Sequence, residues 1–83
     1  MKLLYFAWVR ERVGVGEEDV TPPADVVTVA DLAAWLAGRS AGHAAAFAEP
    51  ARLRAAVDQA FVPLDAAIAG AREVAIFPPV TGG

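Results

Sequence analysis

Apolar positions along this chain repeat with two periods, and each change of period marks an element. The opening "KLLYFAW", residues 2–8, is apolar and aromatic with no glycine or proline, which suits a strand. At period two, Leu3, Tyr5 and Ala7 share one face, while Lys2, Leu4 and Phe6 share the other. The lysine turns that second face toward water at one end. "VRERVG" predicts one helical turn closed by Gly14, with Gly16 completing the reversal. "EEDVTPP" predicts a short second strand stopped by Pro22 and Pro23, because proline donates no hydrogen bond to a ladder. The first two strands then make a hairpin.

The period becomes helical in "TVADLAAWLAG". Val29, Leu32, Ala33 and Leu36 fall at i, i+3, i+4 and i+7 and form one apolar stripe. Thr28 is an N-cap, with Asp31 three residues on as a variant of the capping box, and Gly38 stands at the position of a C-terminal glycine. "SAGHAAAFAEP" predicts a second, weaker helix from Ser40, ended by Pro50. Alternation returns in "RLRAAVDQAFVP", with Leu53, Ala55 and Val57 on one face and Arg52, Arg54 and Ala56 on the other. Asp58-Gln59 is a turn signal and "AFV" a short return strand. "DAAIAGA" predicts a turn or a single helical turn around Gly70. "EVAIF" is the last strand, with Val74 and Ile76 inward and Glu73, Ala75 and Phe77 outward.

Strand, strand, helix, strand, short strand, strand predicts a two-layer α+β domain. The economical form is a mixed sheet of four to five strands with one main helix packed on one face. That is the order of the β-grasp, or ubiquitin-like, fold, in which the first and last strands are parallel neighbours at the sheet centre. This pairing sets Lys2 opposite Glu73 and Phe6 opposite Phe77, on the face away from the helix. Two exposed phenylalanines on one sheet face suggest a docking patch. The domain is expected over residues 1–77, followed by an extended, flexible tail over 78–83.

Composition narrows the function. The 83 residues are 57% apolar with no low-complexity run, which bounds the chain to one globular domain. There is no cysteine, so a disulfide framework and a cysteine-metal site are both excluded. No apolar run approaches the roughly 20 residues of a membrane span, and the N-terminus lacks the long apolar core of a signal peptide, so a cytoplasmic protein is expected. Net charge is −3 and the seven Lys and Arg are scattered, which argues against a nucleic-acid partner. His43 is the single histidine and reads as a surface or core residue rather than a ligand or base; no metal site is expected. Glu17, Glu18 and Asp19 read as a solvated loop, Trp8 and Trp35 as packing residues, and "GVGEE" lacks the third glycine and helix of a nucleotide site. One histidine gives no convincing Ser-His-Asp set. Side chains alone give no enzyme.

The remaining chemistry lies in "FPPVTGG". Pro78 and Pro79 hold the backbone extended off the last strand, and β-branched Val80 and Thr81 favour continued extension. Gly82 and Gly83 carry no Cβ, so a narrow channel can admit them. The terminal carboxylate is a poor electrophile until an ATP-using partner adenylates it. It would then accept an amine, a thiol or a sulfur donor.

"YFAWVRERVG", "LRAAVDQAFV" and above all "EVAIFPPVTGG" together resemble the small subunits of molybdopterin synthase, a family of ubiquitin-like sulfur carriers, over essentially the whole chain. The resemblance implies that an E1-like enzyme, using its own ATP and magnesium, adenylates Gly83. Sulfur from a donor such as a cysteine desulfurase or a rhodanese-like protein then makes a thiocarboxylate. Within a heterotetramer of two small and two large subunits, the tail enters the large subunit and gives its sulfur to cyclic pyranopterin monophosphate. Docking residues carry over to Phe6, Arg10, Phe61 and Phe77; Arg10 and Phe61 rest on the resemblance alone. No bound cofactor is implied beyond the adenylate and thiocarboxylate. A chain without cysteine cannot hold a side-chain persulfide, which agrees with sulfur carried on the terminal acyl group. "AGAREV" departs from the family's usual "DGDEV", and Val57-Asp58 stands where Val-Asn is common; both changes bear on turns and surface charge. Alternatives are a carrier for thiamine or cysteine synthesis, a protein modifier joined to lysine, and a binding module with an inert tail.

Overall fold

The structure, a computed structural model, describes residues 1–79. Five strands form one sheet in the order β2-β1-β5-β3-β4: β1 Lys2–Tyr5, β2 Glu17–Asp19, β3 Arg54–Val57, β4 Ala60–Val62 and β5 Glu73–Phe77. β1 and β5 are parallel neighbours, with Lys2 opposite Glu73 and Tyr5 opposite Ile76. All other pairings are antiparallel. This is the β-grasp arrangement. α1 Ala7–Val13 connects β1 to β2, α2 Val29–Ala37 and α3 Ala41–Ala46 lie between β2 and β3, and a 3-10 turn, Pro50–Arg52, leads into β3.

Burial follows the alternation. Leu3, Tyr5, Val74, Ile76 and Ala55 point to the helices and are at most 2% exposed. They meet Val29, Leu32, Ala33 and Leu36 of α2 in one cluster. Burying a side chain of Leu or Ile size is worth about 1.5–3 kcal/mol, so this layer carries much of the fold. Thr28 caps α2 with a full capping box: its hydroxyl accepts the Asp31 N–H at 3.1 Å, and the Asp31 carboxylate accepts the Thr28 N–H at 3.1 Å. Those hydrogen bonds hold the carboxyl of Asp31 below its ordinary range.

Several expectations are corrected. β1 stops at Tyr5 rather than running to Trp8, and α1 is a seven-residue helix rather than one turn. Phe6 is still extended, but Ala7 turns to φ 52, which swings the chain off the sheet and drives Val9 into the core at 0% exposure. Phe6 therefore sits at the helix start, not in a strand opposite Phe77. β2 ends at Asp19, before the prolines. Gly38 closes α2 in a right-handed conformation, so its left-handed freedom is unused. α3 ends at Phe47 rather than at Pro50. Arg52 lies in the 3-10 turn, outside the strand alternation. Lys2 faces Glu73 in register, but its ammonium pairs with Glu17 at 3.2 Å.

Asp58 and Gln59 both have positive φ, 48 and 72, as a two-residue turn between β3 and β4 requires. The Asp58 carboxylate accepts the N–H groups of Arg72 and Glu73, each at 3.0 Å, and so pins the start of β5.

Candidate functional site at the tail root

β5 is the interior strand from which the tail departs. Its end, Phe77, is opposite Arg54 in register, and Pro78 follows half-buried with Pro79 exposed. On the face away from the helices, Phe61 of β4 is 84% exposed and meets the Phe77 ring edge-on, centroids 5.8 Å apart. The two rings, Arg54, Ala55 and Val62 line a shallow hollow of about 270 Å³. Phe6 is 49% exposed at the same end, where its N–H donates to the Ile76 carbonyl at 3.3 Å. The aromatic neighbour of Phe77 is thus Phe61, across the intervening β3, in place of the expected Phe6.

Arg10 projects from α1, directly after Phe6. Its guanidinium lies against Gly16, where an added Cβ would meet Nε at 3.2 Å. Trp8 is half-buried and has two guanidiniums over its ring, Arg12 at 4.4 Å from the centroid and Arg52 at 5.4 Å. Its packing role is joined by a cationic one that the sequence reading missed. Trp8 and Arg12 are four apart on a helix and so share a face, which is the signal that was available.

Glu18 is a second correction. It is not solvated: β2 points it inward, and its Oε2 accepts the Tyr5 hydroxyl at 2.7 Å and lies 2.6 Å from His43 Nε2. Arg39 Nη2 is 3.6 Å from Oε1. Burial alone would raise the Glu18 carboxyl, but hydrogen bonds from His43 and Tyr5 and the charges beside it hold it below its ordinary range. Burial, and then the hydrogen bond to Glu18, push the Tyr5 phenol far up. Ser40 Oγ sits 2.7 Å from His43 Nδ1 and also accepts the His43 N–H as the cap of α3. Ser40, His43 and Glu18 are in line, yet the serine hydroxyl is committed to capping, and the chain of bonds ties β2 to α3. It is a staple rather than a catalytic set. Among the described residues no group of His, Asp and Glu is placed to hold a metal.

The model of the ThiS family matches residues 3–83. The chain belongs to the ThiS family. It is 45% identical over 83 residues to the molybdopterin synthase sulfur carrier subunit of Escherichia coli, covering 100% of this chain and 99% of that one. Identity to the protein of the same name from Haemophilus influenzae is 35%, with the same coverage. Among solved structures, SAMP1 from Haloferax volcanii superposes with a TM-score of 0.71 at 26% identity, covering 100% of this chain and 98% of that one. A putative molybdopterin converting factor, subunit 1, from Pyrococcus furiosus gives 0.71 at 30% identity, with 95% of each chain covered.

For this ThiS-family chain, the structure brings Phe61, Phe77 and Arg54 together and puts Phe6 and Arg10 at the same end. Val80, Thr81, Gly82 and Gly83 lie outside the described residues. No helix among the described residues is long and apolar enough to cross a membrane.

Proposed function

We propose that this chain is the sulfur carrier subunit of a molybdopterin synthase, with sulfur carried on Gly83. The observation that carries the reading is likeness over the full length, at 45% identity, to a protein of that name. It is supported by the position of "PPVTGG" directly after interior strand β5. The Gly83 carboxylate attacks the α-phosphorus of ATP on an E1-like enzyme and pyrophosphate leaves. Hydrosulfide then attacks the carbonyl carbon of the acyl adenylate and AMP leaves, giving a thiocarboxylate. The Phe6, Phe61 and Phe77 face docks on the large subunit of a heterotetramer while residues 78–83 thread its channel. There the sulfur passes to cyclic pyranopterin monophosphate, and water returns Gly83 to a carboxylate. Pro78 and Pro79 fix the exit direction, and Gly82 and Gly83 give the clearance a narrow channel demands.

The test is the intact mass of the full chain after incubation with the activating enzyme, ATP, magnesium and a sulfide source. The expected result is one sulfur-for-oxygen replacement on the C-terminal peptide, lost on deleting Gly82–Gly83. An unchanged mass, with an enzyme that loads another carrier, refutes the reading.

A further inference from the structure

We infer that Arg10, Arg12, Arg52 and Arg54 form a cationic collar around the tail root that docks on a partner protein whose channel mouth is ringed by carboxylates. This rests on the proposed function, in which the tail root meets a protein channel.

The chain carries ten acids against seven Lys and Arg, yet its charge is divided between its ends. α1 leaves the end of β1, which runs parallel to β5, so Arg10 and Arg12 lie where the tail departs. Arg54 opens β3 opposite Phe77, and Arg52 precedes it in the 3-10 turn. Four of the seven cations are thus at this end, where α1 contributes only Glu11 and the 3-10 turn only its N-cap Glu49 as acids. The start of β1 and β5 has the reverse balance, with Asp19, Asp58 and Glu73 beside Lys2 and Arg72, and the Glu17 carboxylate reaching back from opposite Leu4 to Lys2.

Clustering and rigidity separate the collar from ordinary surface charge. Among the described residues the four collar arginines have no carboxylate partner, as Arg72 has none, whereas Lys2 and Arg39 each have one. All four are exposed, but at least three are held in place. Arg12 and Arg52 stack on Trp8, and Arg12 Nη1 reaches the Ala45 carbonyl at 3.5 Å. Arg54 Nη1 donates to the carbonyls of Leu53 at 2.8 Å and Ala51 at 3.2 Å. A guanidinium has five N–H donors in a rigid fork, so each keeps donors for a carboxylate outside the chain. Fixing like charges together without an internal counter-charge leaves neutralisation to a partner. The exposed Phe6 and Phe61 among them fit an apolar protein surface with a charged rim. A phosphate backbone would call for a longer basic stripe and fewer acids.

Charge of this kind acts mainly on encounter rate, through a salt-sensitive steering field. The experiment is stopped-flow association of the full chain with purified large subunit of molybdopterin synthase across ionic strength. The variants are Arg12→Gln/Arg52→Gln/Arg54→Gln, the same three sites as Lys, Arg54→Gln alone, and Arg72→Gln at the opposite end. The expected result is an association rate lowered about tenfold at low salt in the triple Gln variant, with a flattened salt dependence and a dissociation rate within about twofold. The Lys variant should keep the wild-type rate, Arg54→Gln should show part of the loss, and Arg72→Gln none. Unchanged rate and salt slope in both Gln variants overturn the collar while leaving the carrier reading intact. Retention of the wild-type chain on a single-stranded oligonucleotide at the same salt overturns the choice of a protein partner. Failure of the wild-type chain to bind the large subunit at all overturns the proposed function, and the collar with it.

Discussion

Gly42 offers a sharp test of how α1 is held. It lies in the first turn of α3, and a Cβ built there would stand 2.4 Å from the Arg12 carbonyl oxygen and 3.2 Å from that of Val13. Ordinary contact begins near 3.4 Å, so α1 and α3 would have to part by about 1 Å. The obstacle is backbone at the end of a helix, not a side-chain tip that can rotate away. In an open helical site, Gly→Ala gains roughly 1 kcal/mol. Forcing extra volume into a packed contact costs about 1–3 kcal/mol, and a rigid neighbour places this case in the upper half of that range. Gly42→Ala should therefore destabilise by about 1–2 kcal/mol. With a urea slope near 1 kcal/mol/M for a domain of this size, the midpoint should fall by roughly 1–2 M. Urea unfolding followed by circular dichroism is sufficient. A midpoint raised by about 1 M would mean that Gly42 behaves as an open helical site and that the close approach of α1 to α3 is wrong. Because α1 carries Arg10 and is capped by Phe6, the same variant should weaken binding to the large subunit.

Phe61→Ala should leave the urea midpoint nearly unchanged, since the ring is 84% exposed, yet weaken binding to the large subunit by about 2 kcal/mol or more, measured by calorimetry; equal small effects on both would remove Phe61 from the docking face. Glu18 has a folded pKa below its ordinary value of 4.5, so its contribution is fully present above that pH and lost as pH falls through the folded value. Thermal midpoints below about pH 4.5 should thus drop less in Glu18→Gln than in the wild-type chain, and parallel curves would contradict the staple. Ala7→Gly should be neutral or stabilising because φ is 52 there, whereas Ala44→Gly, on the exposed face of α3, should cost about 1 kcal/mol; equal costs in thermal unfolding would mean that Ala7 is not strained.

The parts legible in the sequence are those set by neighbours along the chain. Thr28 and Asp31 cap α2 through a hydrogen-bond pair three residues apart, and Val74 and Ile76 alternate against Phe77 as any half-buried strand would. The parts that were not legible are set by distant partners. "KLLYFAW" is as apolar as a strand throughout, and what ends the strand at Tyr5 is the pull of Val9 into the core, with a left-handed Ala7 as the pivot. Glu18 looked solvated because its neighbours Glu17 and Asp19 are; its partners Tyr5 and His43 lie 13 and 25 residues away. The Phe61–Phe77 pair needed the register of β3 between β4 and β5 before the two rings could be placed on one face. Arg10, carried over by resemblance, falls at the tail end only because α1 starts where it does.

These particulars explain why the tail leaves from β5 and not from an edge. β5 is paired on both sides, by β1 along four residue pairs and by β3 along four more. Its first residue is also tied to the Asp58 turn. The edge strands β2 and β4 have only three residues each. An edge strand that carried a pulled or threaded tail could peel away one ladder at small cost, since opening free energies are lowest where few contacts hold the backbone. Pulling on Pro78 loads two ladders at once and, through Val74 and Ile76, the whole core. Three of the proposed docking residues meanwhile sit on short elements beside that anchor, Phe61 on β4, Phe6 as the N-cap of α1 and Arg10 within α1, while Phe77 ends β5 itself. A shift of those elements would change partner affinity without moving the tail root. Contacts made by Phe61, Phe6 and Arg10 are therefore separable from tail direction in this fold, whereas those made by Phe77 are not.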